Sequence, residues 1–330
     1  MFSSAPARVD LESFELPAPA ANQIAVRNTR THVSGGSESN FLRFGPLSYG
    51  LKDNNPRANI GYMGVGTVTA VGRDVQGFAV GDRVTTCSNH ASHALIDITP
   101  TTMIEHVPDG VNDDDAGFVF LAGVALHAVR RAQLQIGQSV AVFGMGLVGQ
   151  FALQLARLSG AYPLIAVDLV DDRLELAKKS GATHVINPSR ENVAERMKEI
   201  TNGEGVEAIF HCAQAADILQ TILECASHKG SVLLTGSPPG TATIRLKEEL
   251  LRKELTISGT YESGMLQPHV YWRWTRQRNR QVALRLMATG QLQVGHMVTH
   301  VVPVQQASAM FDLVLRGGAG WLGIVFKWAD

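Results

Sequence analysis

Cysteine is scarce in this chain of 330 residues, limited to Cys87, Cys212 and Cys225. Three scattered thiols can build neither a disulfide framework nor a thiolate metal lobe, so a reducing, cytoplasmic setting is expected. An excess of charge is missing too. The 29 Lys plus Arg nearly cancel the 30 Asp plus Glu, leaving a net charge of -1. That removes the whole-molecule field of a nucleic-acid or anionic-membrane binder, and neither partner is expected. Residues 1–16 lack the basic start and the apolar run of roughly 7 to 15 residues that mark a secretory signal. A long uncharged segment, 132–156, carries five glutamines and four glycines in 25 residues. It therefore reads as strand, turn and helix rather than a membrane span. No internal repeat or low-complexity tract appears.

The composition is that of a globular chain, and at about 150 residues per domain its length suggests two domains. Up to about residue 120 the pattern is short extended runs, at 24–26, 66–71, 82–86 and 94–98, bounded by Gly, Asp, Asn and Pro. Residues 52–57 read as a charged turn. From residue 113 the period changes: Ala116, Val119, Phe120, Val124, Leu126 and Val129 recur at helical spacing. Strands at 139–143, 163–167, 208–211 and 232–234 then alternate with helices at 147–158, 171–180 and 215–226. Such alternation predicts right-handed crossovers and a doubly wound parallel sheet. Helices at 279–289 and 305–315, mixed with short strands, close the chain.

The strand ending at Phe143 runs directly into Gly144-Met145-Gly146-Leu147-Val148-Gly149, a G-x-G-x-x-G turn that opens a helix. Gly144 allows the tight turn, Gly146 lets a pyrophosphate approach the backbone, and Gly149 lets helix and strand pack closely. The helix-start amides near Leu147 and Val148 are then available to donate to phosphates. A second apolar strand ends in Asp168, 19 residues beyond Gly149, where a ribose-binding carboxylate belongs. Beside a 2′-phosphate that carboxylate would cost about 4 kcal/mol at ~4 Å and an effective dielectric near 20, so NAD is expected over NADP. Arg173, in the first turn of the next helix, is placed to stack on adenine or to reach the ribose.

These features, together with residues 64–72 (GVGTVTAVG), 78–84 (FAVGDRV) and 181–187 (GATHVIN), resemble the medium-chain dehydrogenase/reductase superfamily almost end to end. The resemblance implies a GroES-like β-rich catalytic domain (1–123), a Rossmann NAD-binding domain (124–264) and a C-terminal segment (265–330) returning to the first. Zinc members of that superfamily carry Cys and His ligands at places that here hold Ser34 or Gly35, Tyr62-Met63 and Phe120 to Ala122. Hydroxyl and apolar side chains do not replace thiolate and imidazole, so a zinc-free member with no metal site is expected. The expected activity is hydride transfer between a secondary alcohol, or its ketone, and NAD. A quinone or enone reductase and a nucleotide-binding member without turnover are the alternatives.

Without a metal, a proton must be exchanged with the substrate oxygen by side chains. Tyr62 stands at a ligand position and is the first candidate, although a phenol ordinarily titrates near ~10. Ser37 occupies the place of the superfamily's relay hydroxyl, with Glu38 orienting its turn, and His90 is the alternative base. His90 and His93 read otherwise as polar loop histidines. Residues 41–55 and 263–276 are expected to shape the substrate pocket. Trp272 and Trp274, interleaved with Arg273, Arg276, Arg278 and Arg280, read as a basic helix start covering a pocket or interface. The β-prone segments 243–246 and 255–260 suggest an exposed sheet edge, hence a homodimer.

Overall fold

The computed structural model describes residues 1–5, 8–45, 58–262 and 272–328. The chain divides into two compact units, one made of residues 1–120, 280–290 and 294–330, the other of residues 121–279 and 291–293.

The first unit begins with β1 (Phe2–Ala5), β2 (Arg8–Asp10), β3 (Gln23–His32) and α1 (Gly35–Phe44). It continues through β4 (Ala58–Asn59), β5 (Gly64–Val71), β6 (Arg83–Thr86), β7 (His93–Asp97), β8 (Ile104–His106) and α2 (Asp113–Ala116). Helix α3 (Val119–Ala132) leads into the second unit. That unit is built from β9 (Val140–Phe143), α4 (Leu147–Leu158), β10 (Leu164–Val167), α5 (Asp171–Ser180) and β11 (His184–Ile186), then α6 (Val193–Ile200), β12 (Val206–His211), α7 (Leu219–Cys225), β13 (Ala226–Leu234) and β14 (Thr256–Gly259). Helix α8 (Arg276–Ala288) leaves it, and β15 (Val298–Pro303), α9 (Ala307–Arg316) and β16 (Gly323–Lys327) complete the first unit. Among the described residues no helix is long and apolar enough to cross a membrane.

The first unit is β-rich around one long strand. Ten-residue β3 pairs antiparallel with β5 along its length, with β7 over its first half and with β16 at its far end. The apolar sides of these short strands meet in a core of Ile24, Val26, Val68, Val84, Ile96 and Ile104. A second core joins Val33, Leu42 and Ile60 to Phe311, Ile324 and Phe326, so α1 and the chain's last elements share one apolar face. Helix α1 corrects the expectation of a tight turn at Ser37-Glu38. Its Gly35-Gly36 start has poor helix propensity, but burial of Leu42 and a bond that the Ser34 amide donates to the Glu38 carboxylate hold it. Gly35 also has Trp321 against it, where a Cβ would lie 2.6 Å from the indole. The charged turn at 52–57, and most of the proposed pocket loops 41–55 and 263–276, lie outside the described residues; residues 41–44 belong to α1.

The second unit is one six-stranded parallel sheet in the order β11-β10-β9-β12-β13-β14. Strand order therefore reverses between β9 and β12, and in such sheets ligands bind at the carboxyl ends of the strands flanking that reversal. The central strands β9, β10 and β12 are short and almost wholly buried, the pattern of strands covered on both faces. One face packs Ala141, Phe143, Ile165, Ile209 and Val232 against Met197 of α6 and Ile222 and Leu223 of α7. The β-prone segment 243–246 is not a strand: a single π-helical segment starts at Leu246 and runs to Leu251. Arg245 lies 2.6 Å from Glu224 and 2.7 Å from the buried Glu249, which also pairs with Lys253 at 2.9 Å. Those three pairs favour the helical turn over extended pairing.

Candidate functional site

The glycine turn sits where the strand order reverses. Gly144 follows β9 with φ +90, a conformation open to glycine, and a Cβ there would lie 2.6 Å from the amide of Ala213, just past β12. Gly149 touches the turn from the helix side, where a Cβ would come within 1.9 Å of the Gly144 carbonyl. Gly146 differs from both, since nothing lies within 4 Å of the Cβ it lacks. It is the N-cap of α4 and no side chain caps that helix, so the amides of Leu147 and Val148 are not claimed by a capping side chain. Residues 144–149 thus fit a dinucleotide pyrophosphate.

Asp168 follows β10 and is tied into the same turn. One carboxylate oxygen accepts from the Met145 amide at 2.6 Å and the other from the Val170 amide at 2.8 Å. Each oxygen keeps further lone-pair capacity for a ribose hydroxyl. Arg173 lies half-buried in the first turn of α5, and its carbonyl accepts from the Gln150 side chain of α4 at 2.9 Å, which ties the two helices behind the turn.

In the first unit, four side chains from three separated segments meet. The Tyr62 hydroxyl donates to Ser34 Oγ at 2.6 Å. Ser34, the N-cap of α1, uses its hydroxyl this way and not to cap the helix. Its amide donates to one oxygen of Glu38 at 2.8 Å, and the other oxygen meets His90 Nε2 at 2.9 Å. Glu38 and His90 are fully buried. Tyr62 follows Gly61, where glycine is called for twice: φ is +93, and a Cβ would lie 2.6 Å from the His90 imidazole.

His90 is therefore not the polar loop histidine that its neighbours in the sequence suggest. Phe311 and Phe326 enclose its ring edge-on. His93 lies apart, half-buried at the start of β7 beside Ser92. Ser37 shares α1 with Ser34 and Glu38 but makes no hydrogen bond to any of the four among the described residues. Ser34 and Glu38 carry the contacts expected of Ser37. The signal available for Ser34 was its place at a metal-ligand position of the resembling family.

As a zinc site this set is a poor fit. It offers one carboxylate and one imidazole already bound to each other, and two hydroxyls bound to each other, where zinc takes thiolate, imidazole or carboxylate. Among the described residues no group of three or more His, Cys, Asp or Glu could hold a metal ion.

Comparison with known proteins agrees with the architecture. A family model described as zinc-binding dehydrogenase matches residues 148–276, a stretch that includes neither Ser34 nor Tyr62. An uncharacterized zinc-type alcohol dehydrogenase-like protein of Escherichia coli (strain K12) is 24% identical over 93% of this chain and 92% of its own. The L-threonine 3-dehydrogenase of Chromobacterium violaceum is 27% identical over 96% of each. Among solved structures, an oxidoreductase/dehydrogenase of unknown specificity from Escherichia coli superposes with a TM-score of 0.86 at 22% identity, covering 100% of this chain and 98% of that one. Two others, each with a TM-score of 0.82 and coverage of 99% and 98%, are a Sinorhizobium meliloti dehydrogenase bound to NADP, 19% identical, and an Escherichia coli alcohol dehydrogenase complexed with NADH, 21% identical. The Rossmann turn on a parallel sheet, the β-rich unit built on β3 and the match over residues 148–276 make the chain similar to medium-chain dehydrogenases/reductases, and its relatives and neighbours of this kind include oxidoreductases solved with NADP or NADH bound.

Proposed function

We propose that this protein is a zinc-independent, NAD-linked dehydrogenase that interconverts a secondary alcohol and its ketone. The observation that carries the reading is the 2.6 Å hydroxyl pair of Tyr62 and Ser34, standing where relatives of the superfamily place metal ligands. A bound nicotinamide would supply the acceptor for the hydride of the carbinol carbon. The chain's own residues handle the proton. In the alcohol direction half-buried Tyr62 releases its proton to solvent, Ser34 turns to donate to the phenolate, and the phenolate takes the proton of the alcohol O–H as the hydride leaves the carbon. In the ketone direction the Tyr62 proton passes to the ketone oxygen and the phenolate, again held by Ser34, is reprotonated from solvent. One pair thus serves both directions.

Glu38 and His90 are positioning residues in this scheme. The link from Ser34 to Glu38 runs through a backbone amide, which passes no proton to the imidazole. What it does is fix the Ser34 backbone, and so its hydroxyl, from a buried carboxylate that His90 holds in turn. In the second unit, Gly144, Gly146, Leu147, Val148 and Gly149 would hold the pyrophosphate, Asp168 the ribose and Arg173 the adenine side. The preference for NAD rests on the fixed negative charge of Asp168 beside the place of a 2′-phosphate.

The test is a titration with NADH and NADPH, followed by a panel of secondary alcohols and ketones assayed with and without chelator. Tighter NADH binding and turnover that survives the chelator are expected. Much tighter NADPH binding favours the quinone or enone reductase reading, stoichiometric zinc overturns the proton scheme, and NAD binding without turnover of any alcohol or ketone favours a binding role.

The homodimer is proposed on β14, the last strand of its sheet, with exposed Leu251 and Tyr261 shortly before and after it in the chain. Light scattering at micromolar concentration should give twice the chain mass of 35.5 kDa, and Ile257→Lys should dissociate it. A mass of one chain refutes the dimer.

A further inference from the structure

A second polar cluster, in the second unit, takes no part in the scheme above. Three guanidinium groups converge on the indole of Trp274: Arg130 at 3.6 Å from the ring centroid, Arg278 at 4.3 Å and Arg273 at 4.8 Å. Arg131 lies 5.5 Å from the ring of Trp272. Each contact is attractive, but together they crowd four like charges into one small region. Arg131, Arg273 and Arg278 are exposed and Arg130 is half-buried. Unlike Arg280, buried with Glu105 at 3.0 Å, none of them has a carboxylate partner among the described residues.

Among the described residues, Arg130, Arg131, Arg273 and Arg278 have no carboxylate within ion-pair distance. The adjoining residues 263–271 contain no Asp or Glu. Arg130 donates to the side chain of Asn279, a neutral acceptor, and Asn279 in turn donates to Glu262 at 3.0 Å. Burial and the neighbouring charges of Arg278 and Arg273 lower the Arg130 pKa to about 10.

Two further atoms point to a ligand. The indole N–H of Trp272 and Nδ1 of His127 are buried without a hydrogen-bond partner, and their rings meet edge to face at 5.8 Å. Burial first, and then the charges of Arg131 and Arg130, hold His127 neutral down to about 4, so it can still donate or accept at physiological pH. Buried donors of this kind are costly unless something accepts from them. Unpaired guanidinium groups, an orphan indole N–H and an imidazole are together the donor set for a doubly charged oxyanion.

We propose that Arg130, Arg131, Arg273, Arg278, Trp272 and His127 form a binding site for a phosphate group carried by a small molecule. The site is independent of the hydride-transfer reading. A basic helix start over a pocket, as the sequence suggests, becomes a specific anion receptor. Arg280, drawn from the same run, is excluded because its charge is spent on Glu105.

The test uses tryptophan fluorescence and thermal unfolding of the whole protein at constant ionic strength. Inorganic phosphate should change the emission saturably and raise the unfolding temperature, whereas chloride should do neither. The variant R273Q/R278Q should bind phosphate about tenfold or more weakly, the loss expected for charge-assisted hydrogen bonds. Glycerol 3-phosphate distinguishes the sources: tighter binding than inorganic phosphate assigns the site to a phosphate ester, and equal binding assigns it to the free ion. Equal effects of phosphate and chloride on the wild-type protein overturn the proposal without recourse to any variant. So does unchanged affinity in the double variant, or steeply salt-dependent capture of oligothymidylate that displaces phosphate, which would mark a nucleic-acid patch.

Discussion

The glycine turn of the second unit and the hydroxyl pair of the first are built in opposite ways. The turn presents backbone: one positive-φ glycine, one glycine with open space before it, one packed against a carbonyl, and uncapped helix amides. Asp168 is its main side chain, and even that is held by two amides. The other site presents side chains, with Tyr62, Ser34, Glu38 and His90 linked in a row and two of them fully buried. A backbone cradle tolerates changes of side chain wherever space allows. A side-chain row fails when any member is removed, because a buried partner is left unpaired.

The sharpest break in this comparison is Tyr62→Phe. Removing the hydroxyl should lower turnover by about 10²- to 10⁴-fold, the usual worth of a positioned proton-transfer group, while NADH affinity stays within error of the wild type. Stopped-flow turnover and a fluorescence titration measure the two. An equal loss in both would mean that the two regions do not divide the labour as argued.

Acid gives the next largest effect, through His32 in the side-chain-built unit. Its Nε2 lies 3.0 and 3.1 Å from the carbonyls of Asp113 and Asp114, and its ring stands edge-on to Phe118. Burial lowers its pKa to about 4, whereas the unfolded imidazole titrates near 6.5. The unfolded state therefore takes up the proton first, so stability present above pH ~6.5 is lost as pH falls towards 4, by up to roughly 3 kcal/mol. Urea unfolding across that range should show the slope, and His32→Gln should flatten it. The same slope in the variant would remove His32 as the cause.

The smallest effect is the most discriminating. Gly149→Ala and Gly146→Ala add the same methyl group three residues apart. At Gly149 it meets the Gly144 carbonyl, and about 1–3 kcal/mol of stability should go, along with nucleotide binding. At Gly146 it meets nothing, so the unfolding temperature should hold while affinity for NADH falls by about tenfold or more, roughly 1.4 kcal/mol. Calorimetry of unfolding and of binding reads both. If Gly146→Ala binds the nucleotide normally, the open space before that glycine is not the cradle.

These differences explain what was legible beforehand. Helices α4 and α5 begin and end where the residue pattern places them, since their signals are local: a glycine turn before one, Asp171-Asp172 at the start and Gly181 at the end of the other. Asp168 was legible because its partner turn recurs at a nearly fixed separation in a βαβ unit. Helix α1 was hidden by Gly35-Gly36, and the segment 243–246 was misjudged because Arg245 finds Glu224 and Glu249 only once the sheet has formed.

By itself the sequence determined the alternation of strands and helices and the glycine turn with its acid, both properties of neighbouring residues or of a regular period. Tertiary structure alone decided that Tyr62 meets Ser34 and not Ser37, that His90 is buried against Glu38 and two phenylalanines, and that four arginines gather with no carboxylate partner among the described residues. Those outcomes depend on which distant apolar faces pack together. Burial then sets the cost of each polar group and the partner it must find.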